Sequence, residues 1–163
     1  MAPLVSDLLR PDQSISEMPR LIAVDPGEVH VGVAVFIKYG RWWYQYKSFE
    51  TTPHKFAYWF INEMLSNNVV DVVVEDYVLQ PNTAGTQAGS RFVTVQLIGQ
   101  IKLVHRLLSP VRHAWLTLQM NKIKKPMYSV VKHQGFPLLS KVGHVGLDHA
   151  SDAEIHGLYR LIK

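Results

Sequence analysis

Two apolar runs in the sequence end in acidic side chains, at places where an isolated charge is costly to bury. Asp25 follows the run LIAV and precedes Pro26-Gly27, and Glu75 and Asp76 end the run VVDVVV. Removing a carboxylate from water costs several kcal/mol unless a partner compensates the charge. Asp25 therefore either caps a turn or faces a cation.

A third acidic group lies near the end of the sequence, in the segment DHASDAEIHGL. Asp148 and Asp152 are four residues apart and His149 and Asp152 three apart, spacings that share one face of a helix. For Asp148, an N-cap role is an equal alternative to metal ligation. Converging carboxylates repel one another, and a divalent cation removes the repulsion. Oxygen ligands without thiolates favour Mg²⁺ or Mn²⁺, so we predict a metal site of Asp25, Glu75, Asp148, His149 and Asp152.

The elements that would position these side chains form an α/β pattern. Apolar alternation, turn residues and helical spacing predict three antiparallel strands, then helix, strand, helix, strand and a terminal helix. The predicted strands are 20–25, 30–38, 41–50, 69–76 and 113–118. The first predicted helix begins after Thr52 and ends at Asn67-Asn68, and the other three cover 91–108, 126–134 and 146–162. The predicted loops are 80–90 and 135–146. Right-handed crossovers place the first and fourth strands side by side. Asp25 and Glu75 should then lie at one edge of a mixed five-stranded sheet flanked by helices.

Length and composition indicate one domain. The chain has 163 residues, and we expect a polar arm over 1–19 and a single domain over 20–163. The absence of cysteine excludes disulfides, zinc–thiolate sites and thiol catalysis. No apolar run reaches the about 20 residues that span a bilayer, and the first residues lack a signal-peptide pattern. These features predict a cytoplasmic protein.

Positive charge is concentrated in the middle of the sequence. The net charge is +4, and no Asp or Glu occurs between Tyr77 and Leu147. Ordinary surfaces mix both signs, so this one-sided distribution indicates a polyanionic partner such as nucleic acid rather than a merely solvated surface. The predicted phosphate-contacting residues are Arg91, Lys102, Arg106, Lys122, Lys124, Lys125, Lys132 and Lys141.

Three motifs resemble those of the RuvC-type Holliday junction resolvases, which belong to the ribonuclease H-like nuclease superfamily. They are LIAVDPGEVHVGVAVF, DVVVEDYVLQPNTAGTQAGSRFVTVQLIGQIKLV and DHASDAEIHGL, and the resemblance covers about residues 20–162. It implies a ribonuclease H-like fold. The arm and the region 119–146 depart from the bacterial pattern, so the chain looks more like a phage-borne or divergent member.

The resemblance also implies roles for individual residues. Asp25, Glu75 and Asp152 match the family's metal ligands, and His149 matches a position that is Asp in some members and His in others. Lys122 falls where the family has a lysine near the active site, and a phosphate-backbone contact is its alternative role. The expected catalytic set is therefore Asp25, Glu75, His149, Asp152 and Lys122, whereas Asp148 matches no clear family ligand.

The implied activity is the resolution of four-way DNA junctions by a homodimer that makes two symmetric cuts. Two Mg²⁺ ions, which Mn²⁺ can replace, would leave 5′-phosphate and 3′-hydroxyl ends, in the host cytoplasm if the protein is phage-encoded. Tyr77 would either cap the sheet edge or stack on an unpaired base. The excess apolar residues of the helix 91–108 are candidates for the dimer interface, with Gly99 allowing close helix approach.

Three alternatives differ in function class. A nuclease of the same fold acting on forked DNA or RNA–DNA hybrids stays open, because junction choice depends on dimer geometry. A non-catalytic DNA-binding relative predicts an incomplete set of acids, whereas the set is complete. A sugar-kinase or actin-like nucleotide binder requires a second phosphate loop and a much longer chain, and neither is present.

Overall fold

The computed structural model describes residues 14–76, 91–135, 137–141 and 148–163, with the backbone alone at residues 91, 92, 112 and 121. Tyr77 and the predicted loop 80–90 lie outside the described residues, as do residues 1–13 of the predicted arm. From the remainder of that arm, Met18 packs on the buried Ile37. The division into an arm and one domain stays a prediction.

Five strands form a single mixed sheet. They are β1 (Arg20–Pro26), β2 (Val31–Tyr39), β3 (Trp42–Thr51), β4 (Val69–Asp76) and β5 (Trp115–Met120). Their order across the sheet is β3-β2-β1-β4-β5. The β1–β2 and β2–β3 pairs are antiparallel, whereas β1–β4 and β4–β5 are parallel. The predicted α/β class and the predicted pairing of the first and fourth strands are confirmed.

Four helices connect or follow these strands. They are α1 (Pro53–Ser66), α2 (Arg91–Arg112), α3 (Lys124–Gln134) and α4 (Asp148–Ile162), and short 3₁₀ helices span Ile15–Glu17, Asn121–Ile123 and Leu139–Lys141. α1 begins as predicted, because the Thr52 side chain accepts a hydrogen bond from the Lys55 amide at 3.4 Å and Pro53 occupies the first helical turn.

The boundaries of three elements near the site differ from the prediction. α2 continues four residues beyond 108 because the chain leaves it only at His113, which has a φ of 53° and donates its amide to the Ser109 carbonyl at 2.8 Å. β5 consequently begins at Trp115 and extends to Met120, and α3 begins at Lys124 rather than at 126. Gln119 therefore lies within β5, and Lys124 is the first residue of α3.

The sheet separates two hydrophobic cores. Ile22 and Val24 of β1 pack in one cluster with α1 and α2, which contribute Phe56 and Leu97 among others. The alternate β1 residues, starting with Leu21, pack in a second cluster with α3 and α4. This alternation is what a strand covered on both faces requires. It also determines which helices an acid at the end of β1 can meet.

No helix within the described part of the chain is long and apolar enough to cross a membrane.

Candidate active site

Asp25 and Glu75 lie next to each other at the carboxyl ends of two parallel strands. Ala23 of β1 is in register with Val73 of β4, and both side chains belong to the core beside α3 and α4. Asp25 and Glu75, two residues further along each strand, therefore point to the same face. Both acids are buried, with relative exposures of 3% and 7%.

α4 brings the third acidic group to this edge. Asp148 is the first residue of the helix and its side chain is exposed, whereas His149 and Asp152 are partly buried. The helix start is capped from β3, because Glu50 Oε1 accepts hydrogen bonds from the amides of His149 at 2.9 Å and Ala150 at 3.3 Å. Glu50, which the sequence prediction did not include, thus anchors the end of α4 that carries the candidate ligands.

A close backbone contact fixes the position of His149. A Cβ added to Gly32 of β2 would lie 1.9 Å from the His149 carbonyl oxygen, so only glycine permits α4 to approach β2 this closely. From this position the His149 Nδ1 atom forms a hydrogen bond with Asp25 Oδ2 at 2.5 Å. The predicted Asp25 and His149 are therefore in direct contact.

Lys124 lies at the point where the carboxylates converge. Its ammonium nitrogen is 2.9 Å from Asp25 Oδ1, 2.7 Å from Glu75 Oε2 and 2.6 Å from Asp152 Oδ2. Tyr128, one turn further along α3, donates its hydroxyl to Asp152 Oδ1 at 2.7 Å. The ammonium offsets the repulsion between the carboxylates, a role that was predicted for a divalent ion.

Lys122 and Lys124 occupy different environments. Lys122 was predicted either to lie near the active site or to contact the phosphate backbone, and Lys124 was predicted to contact phosphate. In the structure, Lys122 is exposed within the 3₁₀ turn before α3, in a surface depression that Arg160 and Lys163 also line. Lys124 is the lysine that contacts the carboxylates.

Two further residues complete the site without having been predicted. His156, on α4, is fully buried, and its Nδ1 atom lies 2.9 Å from Gln119 Oε1. Its Nε2 atom is 3.6 Å from Glu75 Oε2. His156 follows Asp152 by four residues, so helical spacing could have indicated it. Gln119 is in register with Glu75 on the neighbouring strand, which the predicted end of β5 at 118 obscured.

The local environment shifts the pKa values of the site residues in opposite directions. Burial raises the pKa of Asp25 to about 6, against the hydrogen bond from His149. Burial alone would raise the pKa of Glu75, but its close polar neighbours, His156, Asp25 and Lys124, hold that pKa below its usual range. The hydrogen bond to Asp25 raises the pKa of His149.

Lys124 and Tyr128 both keep their protons in the site. Burial would lower the pKa of Lys124, but the attraction of Asp25 and hydrogen bonds to Asp152 and Glu75 raise it above its usual range. Burial, together with the hydrogen bond to Asp152, raises the pKa of Tyr128. Lys124 is therefore a permanent cation at neutral pH, and Tyr128 a permanent hydrogen-bond donor.

The donor set fits a divalent ion. Ligand atoms of the buried Asp25, Glu75 and His156 all lie within 4.8 Å of one another. Asp152 contacts the same ammonium as Asp25 and Glu75, and His149 contacts Asp25. Carboxylate oxygens are the ligands that Mg²⁺ and Mn²⁺ prefer, and Mn²⁺ also accepts imidazole nitrogens.

Six of the predicted DNA-contacting cations are exposed in the structure. Arg91 has no described side chain and Tyr77 lies outside the described residues. The exposed cations are Lys102, Arg106, Lys122, Lys125, Lys132 and Lys141. Lys141 also lies over the ring of Tyr128, with its nitrogen 5.7 Å from the ring centroid. This contact places one exposed cation next to a residue of the candidate site.

The sequence matches no protein-family model and no curated protein. Its structure is similar to that of Thermus thermophilus RuvC in complex with a Holliday junction substrate, with a TM-score of 0.62, 10% identity, and coverage of 88% of this chain and 95% of RuvC. A fowlpox virus resolvase bound to Holliday junction DNA gives a TM-score of 0.58 at 13% identity, covering 88% and 97%.

A third similar structure is the yeast mitochondrial Holliday junction resolvase, with a TM-score of 0.56, 10% identity, and coverage of 89% of this chain and 78% of the resolvase. All three agree with the sequence motifs at the level of the fold. The chain therefore has the ribonuclease H-like fold of RuvC and the Holliday junction resolvases.

Proposed function

We propose that the protein is a metal-dependent, structure-selective DNA endonuclease that resolves four-way junctions by paired symmetric nicks, leaving 5′-phosphate and 3′-hydroxyl ends. The observation that carries the proposal is the convergence of Asp25, Glu75 and Asp152 on one cationic position, within 2.6–2.9 Å of the Lys124 ammonium. A structural role alone would not require three carboxylates around one cation at the end of the sheet.

Asp25, Glu75, Asp152 and His149 would hold the divalent ions, which we propose to be two Mg²⁺ ions or two Mn²⁺ ions. When bound, such ions supply an activated water and stabilise negative charge on the scissile phosphate and its leaving oxygen. The Lys124 ammonium is a cation at the same position, so a divalent ion would compete with it for the three carboxylates. Asp148, at the exposed start of α4, would lie at the outer edge of this site.

The residues around the ligands orient them and supply positive charge. Glu50 fixes the start of α4 and hence His149, and Tyr128 fixes one oxygen of Asp152. Lys124, once released from the carboxylates, lies close enough to neutralise charge on a phosphate at the site, a form of electrostatic stabilisation. Lys122 is exposed and suits a contact with the phosphate backbone.

Branched DNA is the proposed substrate because two observations agree. The structures with the same fold include RuvC and a viral resolvase in complex with Holliday junction DNA. The middle of this chain carries only positive charge, and its described lysines and arginines are mostly exposed. Contacts of this kind determine affinity and salt dependence rather than base preference.

Symmetric cutting requires two active sites, and we propose a homodimer. α1 and α2 together form an apolar groove that has Phe60, Leu97 and Ile101 in its walls. Leu103 and Tyr58 also line it and are 58% and 64% exposed. A second copy of the chain packed on this face would bury these side chains and leave the acidic edge of the sheet accessible.

The decisive experiment is cleavage of labelled four-way, forked, duplex and RNA–DNA hybrid substrates with Mg²⁺ or Mn²⁺, with the cut positions mapped. Paired nicks at symmetric positions near the crossover, confined to the four-way substrate, are expected. Preferential cutting of forks or hybrids would replace the proposed substrate, and junction binding without any cutting would leave a non-catalytic DNA-binding protein.

Asp25→Asn should abolish cleavage while junction binding persists, because the amide keeps the shape of the carboxylate but cannot ligate the ions equally well. Glu28→Gln is the matched control, since Glu28 is an exposed acid in the turn that follows Asp25. Cleavage that survives Asp25→Asn would show that the carboxylate cluster is not the catalytic centre.

A further inference from the structure

His156 is the one buried histidine among the described residues of α4, and one of its two ring nitrogens has no hydrogen-bond partner there. The residue is 0% exposed, beneath Asp152 on the face of α4 that packs against the sheet. Its Nδ1 atom is bonded to Gln119 Oε1 at 2.9 Å, whereas its Nε2 atom is buried and unpartnered. A buried polar atom left without a partner costs free energy, so such atoms require a physical reason.

The contact with Gln119 determines which nitrogen carries the proton. An amide oxygen can only accept a hydrogen bond, so the Nδ1 atom of His156 donates and the neutral ring keeps its lone pair on Nε2. This is the arrangement found at metal-binding histidines, where a partner on one nitrogen orients the other toward the ion. The neighbour of the free nitrogen is Glu75 Oε2 at 3.6 Å, which is too far for a hydrogen bond.

A lone pair that faces a carboxylate is unfavourable unless a cation lies beside both. The Nε2 atom and oxygens of Asp25 and Glu75 lie within 4.8 Å of one another, a spacing that lets all three contact one ion. The two acids reach this position from the ends of β1 and β4, and His156 reaches it from the buried side of α4. The three groups are therefore supplied by separate elements that converge at one point.

We propose that His156 Nε2 is a ligand of the divalent ion held by Asp25 and Glu75, and that this nitrogen gives the site a preference for Mn²⁺ over Mg²⁺. The inference rests on the proposed function, which requires that the carboxylates bind a divalent ion. An imidazole ligand favours a transition-metal ion, because Mg²⁺ binds oxygen ligands almost exclusively. His149 contacts Asp25 from the partly exposed start of α4, and its ring is a second candidate nitrogen ligand for the ion.

The test is electron spin echo spectroscopy of the Mn²⁺-loaded protein, which detects nitrogen atoms bonded to the ion. His149→Asp removes the other candidate nitrogen and introduces a carboxylate at a partly exposed position. In His149→Asp, the modulation from histidine nitrogen should persist, and it should disappear in the double variant His149→Asp/His156→Gln. Absence of nitrogen modulation in His149→Asp, or its persistence in the double variant, would overturn the assignment.

Calorimetry of Mn²⁺ and Mg²⁺ binding provides a second readout. His156→Gln should weaken Mn²⁺ binding by at least about ten-fold and Mg²⁺ binding by less than about three-fold, because only Mn²⁺ gains from the nitrogen. Equal losses for the two ions would show that His156 only positions Glu75. If His156→Gln fails to fold, the His149→Asp spectrum alone still decides, because it leaves the buried histidine unchanged.

Different results would refute the proposed nuclease function and the proposed role of His156. If the wild-type protein binds neither ion, the proposed nuclease function fails together with the ligand assignment. If Mn²⁺ binds and junction DNA is cut but no nitrogen other than that of His149 is bonded to the ion, only the role of His156 is wrong.

Discussion

At the scale of single residues, Lys124 determines the electrostatics of the site. Its ammonium contacts three carboxylates that would otherwise repel one another, and only 14% of its side chain is exposed. The same charge that stabilises this cluster competes with any divalent ion that binds there. Stability and metal affinity should therefore respond in opposite directions when Lys124 is removed.

Lys124→Met should lower the free energy of unfolding, measured by urea denaturation in EDTA, by about 3 kcal/mol. The loss arises because Asp25, Glu75 and Asp152 would lose the ammonium that compensates their negative charges. Added Mn²⁺ should then stabilise the variant more than it stabilises the wild type, because the competing ammonium is gone.

Lys125→Met is the matched control for this substitution. Lys125 is the next residue of α3 and is exposed, so its replacement should change the free energy of unfolding by less than about 0.5 kcal/mol. Equal effects of the two substitutions would contradict the role assigned to Lys124.

The raised pKa of Asp25 predicts how metal affinity depends on pH. A proton on Asp25 competes with the ion, so affinity should rise with pH until Asp25, with a pKa of about 6, is fully ionised. Between pH 5 and pH 7 we expect about a ten-fold gain in Mn²⁺ affinity. Calorimetry of Mn²⁺ binding to the wild-type protein across this pH range checks the prediction, because the wild type keeps the His149 contact that helps to set the pKa of Asp25. Asp25→Asn should flatten the profile, and an unchanged profile would refute the assignment.

At the scale of elements, the site depends on how closely α4 approaches β2. The backbone of His149 lies directly over Gly32, and Glu50 of the next strand caps the helix. His149, Asp152 and His156 then follow at helical spacing on the side that faces the sheet. A small displacement of α4 would consequently move all three side chains relative to Asp25 and Glu75.

Gly32→Ala should reduce stability by about 2 kcal/mol, measured by urea denaturation, and weaken Mn²⁺ binding as well. The added Cβ would overlap the His149 carbonyl and push the start of α4 away from the strand. Gly99→Ala, within α2, is the control, because a Cβ there meets nothing within 4 Å. It should leave metal binding unchanged and raise stability by about 0.5–1 kcal/mol through helix propensity. A Gly32→Ala variant that binds Mn²⁺ normally would contradict the close-contact argument.

The sequence predicted the strand ends better than the helix faces. Asp25 and Glu75 could be placed together because two apolar runs and one crossover rule determine the neighbouring strands. Lys124 was assigned to the DNA surface because it belongs to a lysine-rich segment without acidic residues, and the sequence does not show which of these lysines faces inward. His156 was missed although its spacing of four residues from Asp152 places both on one helix face, because the sequence carries no sign of the Gln119 contact that orients its ring.

At the scale of the whole molecule, the acidic edge of the sheet and the apolar groove are formed by different helices. α3 and α4 surround the carboxylates, whereas α1 and α2 form the groove on the opposite side of the sheet. A second copy bound at the groove would therefore leave both acidic edges free. This separation is what paired cutting of one DNA molecule requires.

Leu103→Glu should convert the proposed dimer into a monomer in sedimentation velocity experiments, because a charge in the groove would have to be buried. Mn²⁺ binding to each chain should be unchanged, since the carboxylates lie on the other face. Ile162→Glu is the control, because Ile162 is 65% exposed at the end of α4 and lines no part of the groove. A wild-type protein that is already monomeric, or a Leu103→Glu variant that remains dimeric, would refute this interface.

The order of the elements along the chain has a consequence for synthesis on the ribosome. α4 follows all five strands in the chain, and it supplies His149, Asp152 and His156 to strand ends that are translated much earlier. Until the ribosome has released this helix, Asp25 and Glu75 lack these neighbours. Under the proposed function, a growing polypeptide that emerges close to nucleic acid would be unable to cut it until α4 has been translated.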